Sequence, residues 1–229
     1  MLNCRSLNFD GSGTLTFMNE FSREAVAALP VVALLFKWIY SAFVAILIPT
    51  YWRYYGPGNF LWFSDLALFL TLAAVWLESP LLASTQAVSV GLLELVWLAD
   101  FLVRLVFRVE TVGLTRYMFD PKIPLLVRAL SLFHVGLPFL LFWLVWRLGY
   151  DPRAWLAQTL FAWAVLTACY FLTRPAENVN WVFGPAKRKQ QWMPPQLYLL
   201  LLMVFLPVCV YRPTHLLLQK FFPAARMSR

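Results

Sequence analysis

The sequence predicts an all-α membrane protein, a polytopic bundle of about six transmembrane helices. The composition is 61% hydrophobic and only 13% charged, whereas soluble domains carry about 25% charged residues. Six apolar runs meet or approach the ~20 residues that cross a bilayer, and polar connectors separate them. These runs lie near 29–52, 60–77, 82–107, 124–146, 154–172 and 194–220.

Two tails flank the predicted bundle. A polar N-terminal tail covers 1–28, the transmembrane bundle covers 29–220, and a basic C-terminal tail covers 221–229. No cleaved signal is expected, because the first apolar run already has full length. The first 17 residues are interpreted either as a mis-assigned start ahead of Met18 or as a disordered tail.

The connectors predict which parts of the bundle share a side of the membrane. Ser79 and Pro80 predict a tight turn between the second and third spans, so neighbouring spans are expected to be antiparallel. The longer connectors near 108–123 and 173–193 are separated by an even number of crossings. They are therefore expected on the same side, which makes that side the candidate functional face.

The net charge of +8 does not indicate nucleic acid as a partner. Lys and Arg lie mainly at span ends, where they contact anionic lipid headgroups. The predicted partner is membrane lipid, with a membrane-protein partner as an alternative and no nucleic acid. His134 and His215 lie on different spans and the three cysteines show no metal-ligand spacing, so no metal and no cofactor is predicted.

Ionisable side chains inside a bilayer are costly by at least about 2.5 kcal/mol each, so each needs a partner or a function. Asp100 and Arg104 lie one helical turn apart and are expected to form an ion pair. Lys37 is near enough to a span end to reach the headgroups. Glu94 lies in mid-span and is expected either to pair across helices, with His134 as the candidate, or to be protonated.

Ser64, Asp65 and His134 are expected at similar depth on the functional face. A hydroxyl beside an imidazole that a carboxylate orients is the minimal apparatus of acyl transfer, because the base removes the proton of the nucleophile. The alternative is structural. A serine in a membrane helix often bonds to the preceding turn, and a histidine often serves in polar packing.

Asn178 and Asn180 lie in the fifth connector on the same face. Asparagine amides can donate to an oxyanion or to a lipid carbonyl, and Arg174 nearby suits a phosphate headgroup. These three residues are the candidate substrate-binding group. Asn is equally an ordinary turn residue, so a purely structural role stays open.

Three short motifs resemble a known group of membrane proteins. They are Phe63-Ser64-Asp65-Leu66-Ala67, Arg128-Ala129-Leu130-Ser131-Leu132-Phe133-His134, and Asn180-Trp181-Val182-Phe183 before Gly184-Pro185. Over residues 30–220 their order and spacing resemble the YwaF-type bacterial membrane proteins. Those are related to a eukaryotic membrane acyltransferase of phospholipid remodelling and to the androgen-induced lipid-ester hydrolases. The chain is more closely similar to bacterial sequences described only as membrane-associated proteins, which imply no activity.

The resemblance implies roles for individual residues. It makes His134 the general base and places the nucleophile at Ser64, where the enzymes of the group use cysteine or threonine. Serine can act as a nucleophile, although the change also fits a member that has lost catalysis. Trp62 stands at a position that is often polar in the group. The resemblance further implies a multi-pass protein of the bacterial inner membrane.

The leading hypothesis is an integral membrane protein that acts on a lipid ester by acyl transfer or hydrolysis. In it Ser64 attacks, His134 is the base, and Asp65 or Glu94 orients the imidazole. The alternative is a non-catalytic accessory or structural subunit of a membrane complex, in which the buried polar groups hold helices together. A small transporter is the third hypothesis.

Overall fold

The apolar runs form helices. The structure is a computed structural model that describes residues 32–185 and 190–225. This part of the chain contains helices and connectors without a β-strand, which confirms the predicted all-α class. Its α-helices are α1 Leu34–Tyr55, α2 Phe63–Leu77, α3 Pro80–Phe107, α4 Leu125–Leu130, α5 Phe133–Leu148, α6 Ala154–Leu172, α7 Pro195–Phe205 and α8 Arg212–Phe221. Its other helical elements are 3-10 turns at Pro57–Leu61, Arg116–Phe119 and Val179–Trp181, and a π-helical turn at Leu206–Tyr211.

These elements combine into about six long helical segments, as predicted. The α4 and α5 helices form one segment, and α7, the π-helical turn and α8 form another. Four segments are long and apolar enough to cross a membrane: Leu34–Tyr55, Leu125–Leu148, Ala154–Leu172 and Pro195–Phe221. The α2 helix is apolar but has only 15 residues, and the 28-residue α3 helix carries more polar side chains.

The α3 helix lies at the centre of the bundle, packed against α5, α2 and α6. It buries a series of polar side chains along its length: Ser84, Thr85, Gln86, Ser89, Glu94 and Asp100. Because the neighbouring helices cover α3, these groups face protein rather than hydrocarbon, where they would be costly. This central helix therefore supplies the polar interior from which a functional site can be built.

The two ends of the bundle differ in their connectors. We call them the long-connector end, formed by 56–62, 108–124, 173–185 and 190–194, and the short-connector end, formed by 78–79 and 149–153. At the long-connector end the Asn180 side chain donates to the carbonyl of Leu61 over 2.7 Å. At the short-connector end the amide of Asp151 donates to Ser84 Oγ over 2.9 Å. These contacts agree with the predicted antiparallel arrangement.

The predicted ion pair between Asp100 and Arg104 is wrong. The Asp100 carboxylate instead accepts hydrogen bonds from the third connector, including the Thr115 amide at 2.9 Å and the Thr115 hydroxyl at 2.7 Å. Arg104 pairs with Glu110 at 3.4 Å. The reason is that Asp100 lies near the end of α3, where the free N–H and O–H groups of the connector reach its carboxylate and hold the connector against the helix.

Lys37 is also placed differently from the prediction. Its side chain is buried, and Nζ lies 2.9 Å from Oε1 of Glu78 in the turn after α2. The same Glu78 oxygen accepts the amide of Val32 at 3.3 Å. Lys37 therefore ties α1 to the α2–α3 turn instead of extending to the headgroups.

The chain after α8 returns to the short-connector end. The amide of Tyr150 donates to the carbonyl of Pro223 at 2.7 Å, and the amide of Ala225 donates to the carbonyl of Tyr150 at 2.9 Å. The described part of the predicted basic tail, residues 221–225, is thereby held against the fourth connector. The predicted polar tail at 1–28, with Met18, lies outside the described residues.

Candidate active site

An imidazole–carboxylate pair lies in the interior of the bundle. His134 Nδ1 is 2.7 Å from Oε2 of Glu94, and the exposed fractions of the two side chains are 13% and 5%. His134 is the second residue of α5, just after the break at 131–132 between α4 and α5. The structure therefore contains the cross-helix pairing that was predicted for Glu94 from its mid-span position.

Aromatic rings flank the His134 imidazole. The Trp97 ring stacks with its centroid 4.7 Å away, and the Phe133 ring with its centroid 4.1 Å away. Trp97 follows Glu94 by one helical turn on α3, so one face of α3 supplies both the carboxylate and a stacking ring. With Nδ1 held by Glu94 and the ring fixed between neighbours, Nε2 is the nitrogen available to exchange a proton.

Asp65 lies in the first turn of α2 and is 4% exposed. Its Oδ2 accepts a hydrogen bond from Nδ2 of Asn59 at 3.3 Å, while Oδ1 has no hydrogen-bond partner among the described residues. Asp65 is close enough to Glu94 and His134 to interact with both electrostatically. Asp65 therefore places a second carboxyl group beside the imidazole, with one oxygen free of a partner among the described residues.

Ser64 precedes Asp65 but does not join the pair. The Ser64 hydroxyl makes no hydrogen bond to His134, Glu94 or Asp65 in the described structure. Consecutive residues on a helix point about 100° apart, so the turn that directs Asp65 inward directs Ser64 elsewhere. Three of the four predicted catalytic residues thus gather in one region, and the contact between nucleophile and base is not formed.

A hydroxyl cluster next to this region was missed by sequence reasoning. The Tyr51 hydroxyl lies 2.6 Å from Oγ of Ser131, and the side chain of Tyr117 lies close to the same serine. Tyr51 comes from α1 and Tyr117 from the third connector. Tyr51 lies near the end of an apolar span and Tyr117 in a polar connector, and neither aromatic residue gives a local signal of its polar partner. Their contact closes the long-connector side of the bundle above Glu94 and His134.

Asn180 holds two connectors together. Its side-chain oxygen accepts the Phe63 amide at 3.0 Å, at the start of α2. Its side-chain nitrogen donates to the carbonyl of Leu61 at 2.7 Å and lies 3.4 Å from Sγ of Cys169. An amide nitrogen has two protons, so both are engaged. Asn180 is adjacent to the turn that carries Ser64, but it has no donor left for an oxyanion.

Asn178 and Arg174 also have structural partners. The Asn178 side chain donates to the carbonyl of Gly184 at 2.9 Å and accepts the amide of Phe183 at 2.9 Å, so it closes the turn of its own connector. Arg174 is strongly exposed and pairs with Glu177 at 2.9 Å. The structure therefore brings these predicted substrate-binding residues to the long-connector end without directing them at His134.

A lateral apolar groove of about 670 Å³ lies between α1 and α5. Phe133 forms part of its wall, so the groove ends beside the ring that stacks on His134. Across residues 32–185 and 190–225, no group of three or more His, Cys, Asp or Glu side chains is arranged to hold a metal ion. Comparisons with protein-family models, curated proteins and solved structures gave no match to this chain.

Proposed function

We propose that this chain is a multi-pass membrane protein that hydrolyses or transfers the acyl group of a lipid ester, with His134 as general base. The observation that carries the proposal is the 2.7 Å contact between His134 and Glu94, buried in the interior of the bundle. A carboxylate that fixes Nδ1 leaves Nε2 to accept a proton, which is the relation of base and orienting group in hydrolytic sites.

The charges around the imidazole support this role. When His134 takes a proton from a nucleophile it becomes an imidazolium, and the Glu94 carboxylate, 2.7 Å from Nδ1, stabilises that form. The low exposure of Glu94 strengthens this interaction, because little water is present to screen it. The free oxygen of Asp65 is also available to accept a hydrogen bond from a substrate or a water molecule.

The nucleophile is either Ser64 or a water molecule. Attack forms the bond to the ester carbonyl carbon, His134 receives the proton, and the alcohol leaves with that proton when the intermediate collapses. Ser64 would form an acyl-enzyme before water or a second alcohol accepts the acyl group. Since Ser64 makes no hydrogen bond to His134 in the structure, a catalytic Ser64 requires a rearrangement that brings its hydroxyl to Nε2 when substrate binds.

The location of the protein belongs to the same proposal. Four apolar segments indicate a membrane protein, and the resemblance to YwaF-type proteins supports several crossings of a bacterial inner membrane. A lipid substrate then reaches the site from within the bilayer. This agrees with the helical, strand-free architecture of the described residues.

The test uses the purified protein in nanodiscs with fluorogenic fatty-acid esters and phospholipids. His134→Asn is expected to lower turnover by about 10²-fold or more, the contribution of a general base. His215→Asn is the matched control, because His215 lies at the short-connector end, where Nδ1 is 2.6 Å from the Tyr150 hydroxyl. Full turnover in His134→Asn contradicts the proposal. Ser64→Ala then separates a serine nucleophile, which loses turnover, from a water nucleophile, which keeps it.

The second candidate is an accessory or structural subunit of a membrane complex. The observation that favours it is the use of Asn178 and Asn180 to hold connectors, which leaves no free amide donor on Asn180. This candidate predicts that wild-type protein turns over none of the esters and that another membrane protein co-purifies with it. His134→Asn would then reduce thermal stability without a loss of activity to measure.

A further inference from the structure

The groove between α1 and α5 has the dimensions of a ligand site. Its volume of about 670 Å³ lies within the ~300–1,000 Å³ range of small-molecule pockets. It runs along residues 32–43 on one side and 133–143 on the other, with Leu68 of α2 between them. Ten residues of helix correspond to about 15 Å of length. The groove is therefore long and narrow and follows the helix axes.

The wall of the groove suits a hydrocarbon chain. Its residues are nearly all aliphatic or aromatic. The buried polar group is the Tyr40 hydroxyl, which donates to the carbonyl of Leu68 at 2.8 Å and so needs no further partner. Phe139 is 57% exposed at the rim, so the groove opens sideways toward the bilayer. A chain entering from the membrane would meet no unpaired polar group.

Gly136 keeps space free in this wall. It lies inside α5, where glycine is among the poorest helix formers. A Cβ at this position would meet no atom within 4 Å, so packing within the protein does not require glycine. By contrast, a Cβ on Gly91 of α3 would meet the Phe142 ring at 3.1 Å. The open space at Gly136 is consistent with a position that an external chain occupies.

The inner end of the groove lies beside the candidate active site. Phe133 lines the groove, and the same ring stacks on His134 with a centroid distance of 4.1 Å. The other end, at Trp143, lies toward the short-connector end, where an indole suits the headgroup level. A chain in the groove thus extends from the level of the imidazole toward the opposite membrane surface.

We infer that this groove holds the acyl chain of the ester substrate, with the ester carbonyl at the His134 end. The inference rests on the proposed function and adds to it the substrate class, an ester of a long fatty acid. It also predicts selectivity by chain length. In an apolar pocket each methylene contributes about tenfold or more to specificity, so filling the groove should remove the preference for long chains.

The first experiment measures occupancy without any need for turnover. Protein in phosphatidylcholine nanodiscs is photolabelled with a fatty-acid ester that carries a diazirine near the end of a 16-carbon chain. Labelling is expected on the peptides of α1 and α5 that line the groove, above labelling of the exposed Leu160 face of α6. Gly136→Phe should reduce groove labelling at least fivefold, whereas Leu132→Phe, on an exposed position nearby, should not.

The second experiment compares esters of 4 and 16 carbons in wild type and Gly136→Phe. The expected result is a loss of kcat/KM of tenfold or more for the long ester with little change for the short one. Equal losses for both esters, or groove labelling that Gly136→Phe leaves unchanged, overturn the inference. If wild type hydrolyses neither ester, the proposed function fails, and the labelling result still decides whether the groove binds an acyl chain.

Discussion

Asn180 provides the sharpest test of which polar residues are structural. Its side chain joins the fifth connector to the start of α2 through the Leu61 carbonyl at 2.7 Å and the Phe63 amide at 3.0 Å. Its own backbone is in the left-handed region, with φ of 49°. Asparagine tolerates this conformation better than alanine does. Asn180→Ala therefore removes these two hydrogen bonds and the weaker contact with Cys169 Sγ, and it adds backbone strain.

The magnitude follows from these two effects. Two hydrogen bonds at about 1 kcal/mol each give about 2 kcal/mol, and alanine in the left-handed region adds about 1 kcal/mol. Asn180→Ala should thus destabilise the fold by about 3 kcal/mol. Asn180→Gly avoids the strain and should lose about 2 kcal/mol. At about 2–4 °C per kcal/mol for a chain of this length, the expected fall in Tm is about 6–12 °C for alanine.

The assay is thermal unfolding of the detergent-solubilised protein, followed by intrinsic tryptophan fluorescence. Gln191→Ala is the control, because Gln191 is an exposed amide in the same connector, and its Tm should equal that of wild type. The expected order of Tm is wild type, then Asn180→Gly, then Asn180→Ala. An unchanged Tm in Asn180→Ala combined with lost ester turnover would refute the structural account and restore Asn180 as a substrate-binding residue.

Three further predictions concern stability. Gly149→Ala should lower Tm strongly and loosen the C-terminal segment in limited proteolysis, because Gly149 has φ of 87° and a Cβ would lie 2.7 Å from the Ala225 amide nitrogen. Gln86→Leu should leave Tm equal or higher, since both polar atoms of this buried side chain lack a partner among the described residues; a clear fall would reveal a bound water. Arg153 holds the pKa of Asp151 below its usual range. The ion pair therefore stabilises the fold at pH values above about 3.9, the pKa of an Asp side chain in the unfolded chain. This stabilisation is lost as the pH falls through the lower pKa that Asp151 has in the folded protein. In Arg153→Gln, Tm should therefore fall less steeply in acid than in wild type.

Hydropathy predicted the helical segments well because the bilayer restricts a spanning chain to few structures. The pairing of Glu94 with His134 could also be predicted, since a mid-span acid must find a partner and few candidates exist. The pairing of Lys37 could not, because its partner Glu78 lies at the end of another helix. Snorkelling and a cross-helix ion pair are equally compatible with one lysine near a span end.

The contacts that build the long-connector end are distant in sequence. Asn180 meets Leu61 across 119 positions, and Tyr51 meets Ser131 across 80. Residue spacing along one helix carries no information about such pairs. For Asp100 the prediction was wrong even within one helix. Arg104 is at the favourable helical spacing, yet the N–H and O–H groups of a nearby connector compete for the carboxylate and provide more hydrogen bonds.

The hydrogen-bonding capacity of each polar side chain separates structural residues from candidates for chemistry. Both amide protons of Asn180 are engaged, and Asp100 accepts from several groups of one connector. Neither side chain has a hydrogen-bonding group left over for a substrate. His134 retains Nε2, and Asp65 retains Oδ1 in a buried position. An unpaired buried oxygen is unfavourable for folding, and the proposed substrate or a water molecule beside the oriented imidazole would supply Oδ1 with a donor.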